Sequence, residues 1–153
     1  MKIYIETTVP NFLFADDAPE KRRATEVFFE WLRVSPDEIF ISKLVEDEIS
    51  ACPEPKRTRM ISVLLGLGLE VLPNDPDCSA LADEYIGAGI IPARFKNDAL
   101  HVAVAVWHKL DVVVSWNMNH LVNVRKVDRI NAVNQRLGLT PIRINTPEEV
   151  LEL

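Results

Sequence analysis

The sequence predicts an α/β fold, three layers deep, with helices on both faces of a central parallel sheet of about five strands. Three observations carry that reading. Short apolar segments alternate with amphipathic helical ones along the 153 residues. One segment, Val112-Val113-Val114, is apolar without interruption, the pattern of a strand buried on both faces. Nothing divides the chain: it has no repeat, no low-complexity tract and no linker, so residues 1–153 read as one domain.

Taken in order, Lys2 to Glu6 alternates and then meets Thr7-Thr8-Val9-Pro10, which predicts a short strand ending at a carboxylate, then a turn. Pro19 to Arg33 carries Ala24, Val27, Phe28, Trp31 and Leu32 at helical spacing, closed by Ser35-Pro36. A second strand, Glu38 to Ser42, runs into a helix that Ser42 can cap and that stops before Pro53. A helix over about 55–67 ends at glycines, and Leu69 to Leu72 forms a third strand. Pro76 opens a helix to about Gly87, and Asp98 to Leu110 is strongly helical. After the fourth strand, Val112 to Ser115, come a helix from about Val127 to Leu137, a strand at Ile142 to Ile144 and a last helical turn from Pro147.

Lys and Arg total 17 against 23 Asp and Glu, a formal charge of −6. That excludes binding nucleic acid by general electrostatic attraction, but not an enzyme whose acidic pocket is neutralised by a metal ion. No apolar run approaches the roughly 18 residues of a membrane span. Glu6 stands where a signal peptide needs its apolar segment, so the expected location is the cytoplasm. Cys52 and Cys78 lack C-x-x-C spacing and read as reduced, inert thiols rather than a disulfide or zinc site.

Ligands of such sheets collect at the carboxyl ends of the strands, near the reversal of strand order. Glu6, Thr7 and Thr8 follow the first strand, Ser42 and then Glu46, Asp47 and Glu48 follow the second, and Asn117, Asn119 and His120 follow the fourth. Asp98 opens the helix leading to that fourth strand. Gly66-x-Gly68 follows a helix and lacks the rest of a nucleotide-binding loop, which also disfavours a small-molecule enzyme of the dinucleotide-binding type. Neither a Gly-x-Ser-x-Gly elbow nor a His-Glu-x-x-His helix is present. What remains is a set of dispersed carboxylates. Brought together they repel, unless a hard divalent cation such as Mg²⁺ or Mn²⁺ lies between them. An ion so held can activate water and steady the charge of a phosphodiester under attack.

Four blocks, Tyr4-Ile5-Glu6-Thr7-Thr8-Val9-Pro10, Ser42-x-Leu44-Val45-x-x-Glu48-Ile49, Asp98-Ala99-Leu100-His101-Val102-Ala103-x-Ala105 and Val113-Val114-Ser115-Trp116-Asn117-x-Asn119-His120, resemble in order the four motif blocks of PIN-domain proteins. The nearest resemblance is to the VapC-like branch of toxin–antitoxin ribonucleases. It implies a metal-dependent endoribonuclease acting on single-stranded or structured RNA, paired with a small antitoxin protein and assembled as a homodimer. It also implies metal ligation by Glu6, Glu48 and Asp98, a catalytic contribution from Asn117, and support from Thr8, Asn119 and His120. Glu6 stands where Asp is usual and is longer by one methylene; Asn117 stands where a further Asp is common, so one charge is missing. These departures motivate a second expectation, a catalytically inactive PIN-fold module that binds RNA or protein.

Each residue also has a structural reading. Asp98 suits a helix N-cap, and Asn117 and Asn119 suit a turn. Glu48 belongs to an acidic helix face with Glu46 and Asp47, although its spacing from Leu44 turns Glu48 alone inwards. His101, Trp31, Trp107 and Trp116 read as packed residues. Arg94, Lys96, Lys21, Arg22 and Arg23 read as solvated cations.

Overall fold

The computed structural model describes residues 1–153. Its five strands are β1 (Lys2–Ile5), β2 (Glu38–Ser42), β3 (Glu70–Leu72), β4 (Val112–Val114) and β5 (Arg143–Asn145). They form one sheet in the order β3-β2-β1-β4-β5, with every pairing parallel. The two strands at the centre of the reversal, β1 and β4, are apolar because they are covered on both sides: Ile3, Tyr4 and Ile5 of β1 and all three valines of β4 are 0% exposed. The outermost strands are partly exposed instead: in β5 Ile144 is buried between exposed Arg143 and half-buried Asn145, and in β3 only Leu72 is buried.

Eight helices flank the sheet: α1 (Thr8–Phe12), α2 (Pro19–Val34), α3 (Lys43–Ser50), α4 (Lys56–Leu65), α5 (Pro76–Gly87), α6 (Lys96–Trp107), α7 (Val124–Arg136) and α8 (Pro147–Leu151). α5 packs on α6 and α7; α2 packs on α1 and α8, and α4 on α1 and α3. α6 is buried continuously from Ala99 to Val106, which explains why its apolar residues show little one-sidedness. Ser42 caps α3 as expected, accepting from the Val45 N–H, and Asn123 caps α7 in the same way through the Lys126 N–H.

Several expectations are corrected. Thr7 to Pro10 is not a plain turn, because α1 starts at Thr8. Pro10 falls in its first turn, where a missing N–H costs no intrahelical bond. α7 starts three residues earlier than its apolar pattern suggests, at the Asn123 cap. Trp107 is 38% exposed rather than core, since α6 ends there and the chain emerges at the sheet edge. Trp116 is packed at 7% exposure, and its indole N–H donates to Thr25 Oγ1 at 2.9 Å. Both cysteines are free thiols, and burial pushes Cys78 up to about 11.

Candidate active site at the carboxyl edge of the sheet

The strand order reverses between β1 and β4, and the residues that leave these two strands face one another. Glu6 leaves β1, with its N–H still bonded to the Val114 carbonyl, and is only 4% exposed. Three donors converge on its carboxylate. Thr8 Oγ1 lies 2.5 Å and Ser115 Oγ 2.6 Å from Oε1, and the Thr8 N–H lies 3.0 Å from Oε2.

Glu48 reaches the same edge from α3. Its side chain is 33% exposed, whereas Glu46 and Asp47 face solvent and pair with Lys43. Glu48 Oε1 accepts from Thr7 Oγ1 at 2.7 Å and lies 2.6 Å from His101 Nε2. The other nitrogen of this buried imidazole, Nδ1, lies 2.7 Å from the Tyr4 hydroxyl, which lies 2.7 Å from Ser42 Oγ. Burial acts to raise the Glu48 carboxyl. The His101 hydrogen bond, the charge of His101 and the Thr7 hydroxyl outweigh it and hold Glu48 below the ordinary carboxylate value. Burial pushes the Tyr4 phenol far above its ordinary value despite its bond to Ser42, so the hydroxyl keeps its proton.

Asp98 is the third residue of α6, whose N-cap is Phe95, so Asp98 does not cap the helix. Its Oδ2 lies 2.8 Å from His120 Nδ1, and the His120 ring leans on Phe95 with centroids 4.2 Å apart. The His120 N–H donates to Asn117 Oδ1 at 3.1 Å, and the Asn117 N–H donates to Ser115 Oγ at 2.9 Å. Ser115 returns to Glu6. Asp98 and His101, three apart on α6, share a helix face. The polar groups therefore close a ring: Glu6, Thr7, Glu48, His101, α6, Asp98, His120, Asn117 and Ser115.

The only ion-pair partners of these acids are histidines, His101 for Glu48 and His120 for Asp98, and Glu6 has none. No Lys or Arg side chain neutralises the group. The donors are hard oxygens: Glu48 Oε2 and Asp98 Oδ1 make no protein hydrogen bond, and Glu6 Oε2 accepts only one. That set fits a hydrated Mg²⁺ or Mn²⁺ ion in chemistry. The three carboxylates are not drawn to within 4.8 Å of one another, in contrast to Asp75, Cys78 and His108 elsewhere in the molecule.

No protein-family model matches the chain, and no curated protein matches its sequence. Solved structures do match. VapBC2 from Rickettsia felis, bound to a DNA fragment from their promoter, aligns with a TM-score of 0.60 and 17% identity, covering 95% of this chain and 98% of that one. DNA-bound VapBC from Salmonella typhimurium aligns with a TM-score of 0.57 and 22% identity, covering 96% and 98%. The chain has the VapC-like PIN-domain fold.

On this PIN-like fold the residues singled out from the sequence separate cleanly. Glu6, Glu48, Asp98, Asn117 and His120 all join the ring, and Thr8 bonds to its Glu6 member. Asn119 is exposed in the turn beyond β4 and stays outside it. Asn117 also shapes that turn, its carbonyl accepting from the Leu121 and Val122 N–H groups at 3.1 and 2.9 Å. Lys96 turns away to pair with Asp83 at 3.2 Å.

Sequence reasoning placed Thr7 and Ser115 near the edge without giving either a role, and it passed over the second role of His101. His101 is a packed core residue, 1% exposed, and at the same time the hydrogen-bond partner of Glu48. The signal was its three-residue spacing from Asp98 on one helix.

Proposed function

We propose that the protein is a VapC-like ribonuclease toxin that uses Mg²⁺ or Mn²⁺ to hydrolyse single-stranded RNA. The observation that carries this reading is the trio Glu6, Glu48 and Asp98 at the switch point of a PIN-like sheet, without a Lys or Arg partner. Glu48 and Asp98, half-exposed and each with a free oxygen, would be the outer ligands, and Glu6 the inner one. A divalent ion there supplies water activation and stabilisation of charge on the scissile phosphate. The chain's own contribution is to fix the acids beforehand. Thr8 and Ser115 orient Glu6, Thr7 and His101 orient Glu48, and His120 orients Asp98. Imidazoles bonded to carboxylates in this way set ligand direction. A small antitoxin protein and a second copy of the chain are the proposed partners, supported by the likeness to VapBC complexes.

A second reading, a PIN-fold module that binds RNA or protein without cleaving, has its own support. The Asn117 side-chain oxygen is engaged by the His120 N–H, and the acids are not drawn tightly together. Incubation of single-stranded RNA with the protein separates the two. The toxin reading expects cleavage with Mn²⁺ that is lost with EDTA and lost in both Glu6→Gln and Asp98→Asn. Absence of cleavage together with absence of Mn²⁺ binding overturns it in favour of the binding module.

A further inference from the structure

We propose that Asp75, Cys78 and His108 form a second metal site, for a zinc-class transition ion, separate from the carboxylate ring. One oxygen, one sulfur and one nitrogen from these side chains lie within 4.8 Å of one another. His108 Nε2 is buried and has no hydrogen-bond partner. An orphaned buried nitrogen is costly unless something binds it. Its ion-pair partner, Asp75 Oδ2, is 3.6 Å away, too far for a hydrogen bond. It is close to the roughly 3.4 Å edge of a tetrahedron whose metal–ligand bonds are about 2.0–2.1 Å.

The local backbone builds this arrangement. Asp75 is the N-cap of α5 and Cys78 its third residue, joined by a Cys78 N–H to Asp75 carbonyl bond of 2.9 Å. The sulfur is thus fixed in the first turn of α5, where burial and the charges of Asp75 and Asp77 keep the thiol protonated until an ion displaces the proton. His108 is the C-cap of α6, where Lys109 in a left-handed conformation (φ 60°) ends the helix. α5 and α6 run antiparallel, since Asp75 faces His108 at one end and Asp83 pairs with Lys96 at the other. His108 also lines a cavity of about 530 Å³ together with Lys2, Glu38 and Glu70, the first residues of β1, β2 and β3. The site therefore lies at the amino edge of the sheet, opposite Glu6, with His108 between the cavity and the other two ligands' helix α5.

Mixed sulfur, nitrogen and oxygen donors select zinc over magnesium, and three protein ligands leave the fourth position to water. On binding, the thiol proton leaves to solvent and sulfur binds as thiolate. Under this proposal Cys78 is a metal ligand rather than an inert thiol. Its partners come from positions 75 and 108, a spacing no local motif reveals.

The test uses the full chain, stripped by chelator and titrated with Co²⁺. The expected result is a near-ultraviolet sulfur-to-cobalt charge-transfer band, displaced by Zn²⁺. The band disappears in Cys78→Ser, and His108→Gln weakens Co²⁺ binding by more than about tenfold. Cys52→Ser, Glu48→Gln and Asp98→Asn leave it unchanged. A wild-type protein without the band, or a band that survives Cys78→Ser, overturns the proposal. Should Cys78→Ser fail to fold, His108→Gln decides: unchanged Co²⁺ affinity in that variant overturns it equally.

Discussion

Replacing His101 by Phe tests whether the ring around the acids holds the fold as well as the site. The substitution keeps an aromatic of similar size in a position 1% exposed and removes both ring nitrogens. The Tyr4 hydroxyl keeps its 2.7 Å contact with Ser42, so the loss there is small. Glu48 loses a 2.6 Å charge-assisted bond and retains Thr7 and, being 33% exposed, water. A bond of that kind contributes roughly 1.5–3 kcal/mol, and with the Tyr4 side the expected destabilisation is about 2–4 kcal/mol at pH 7. With a urea slope of about 2 kcal/mol/M, the unfolding midpoint falls by about 1–2 M.

The effect must also depend on pH, with a determined sign. Glu48 is held below its ordinary value in the folded wild type. Its stabilisation is complete above the ordinary carboxylate value of 4.5 and is lost as pH falls through the lower folded value. His101→Phe removes two of the three influences that lower it and leaves burial. The gap between wild type and variant therefore narrows below about pH 4.5. Urea unfolding at pH 7, 5 and 4 measures it. A gap that stays constant across this range, or one under about 0.5 kcal/mol at pH 7, refutes the reasoning.

Two further substitutions probe positions away from the acids. Thr25→Val removes the acceptor of the buried Trp116 indole N–H and should cost about 1–3 kcal/mol, whereas Thr25→Ser keeps the acceptor and costs less; denaturant unfolding of both separates the hydroxyl from the methyl. Lys109→Gly relieves a left-handed conformation at the end of α6 and should raise stability by up to about 1 kcal/mol, visible as a higher thermal midpoint.

The fold was legible because its inner strands are uniformly apolar and its helices begin and end at recognisable caps and breakers, as at Ser42 and Pro76. Glu6 was legible because it directly follows a strand at the carboxyl edge, whereas Glu48, inside α3, and Asp98, third in α6, were singled out by the motif resemblance. Their partners were not. Thr7, Ser115 and His101 carry no periodic signature, and their bonds to the acids span 41, 109 and 53 residues of chain. Trp107 was misread because helical spacing identifies an apolar face but not where burial stops along the axis. Asp75, Cys78 and His108 meet only because α5 and α6 lie antiparallel, a tertiary fact absent from local spacing.

α6 bears Asp98 and His101 near its start and His108 at its finish, ten residues or about 15 Å along one axis. With Ala99 to Val106 enclosed on every side, this helix is a fixed axle running through the protein from one rim of the sheet to the other. Inserting a single residue in its middle would twist one end against the other by about 100° and slide it by about 1.5 Å. Because surrounding layers grip the shaft along its length, neither rim can absorb that turn, so both polar clusters would come apart together.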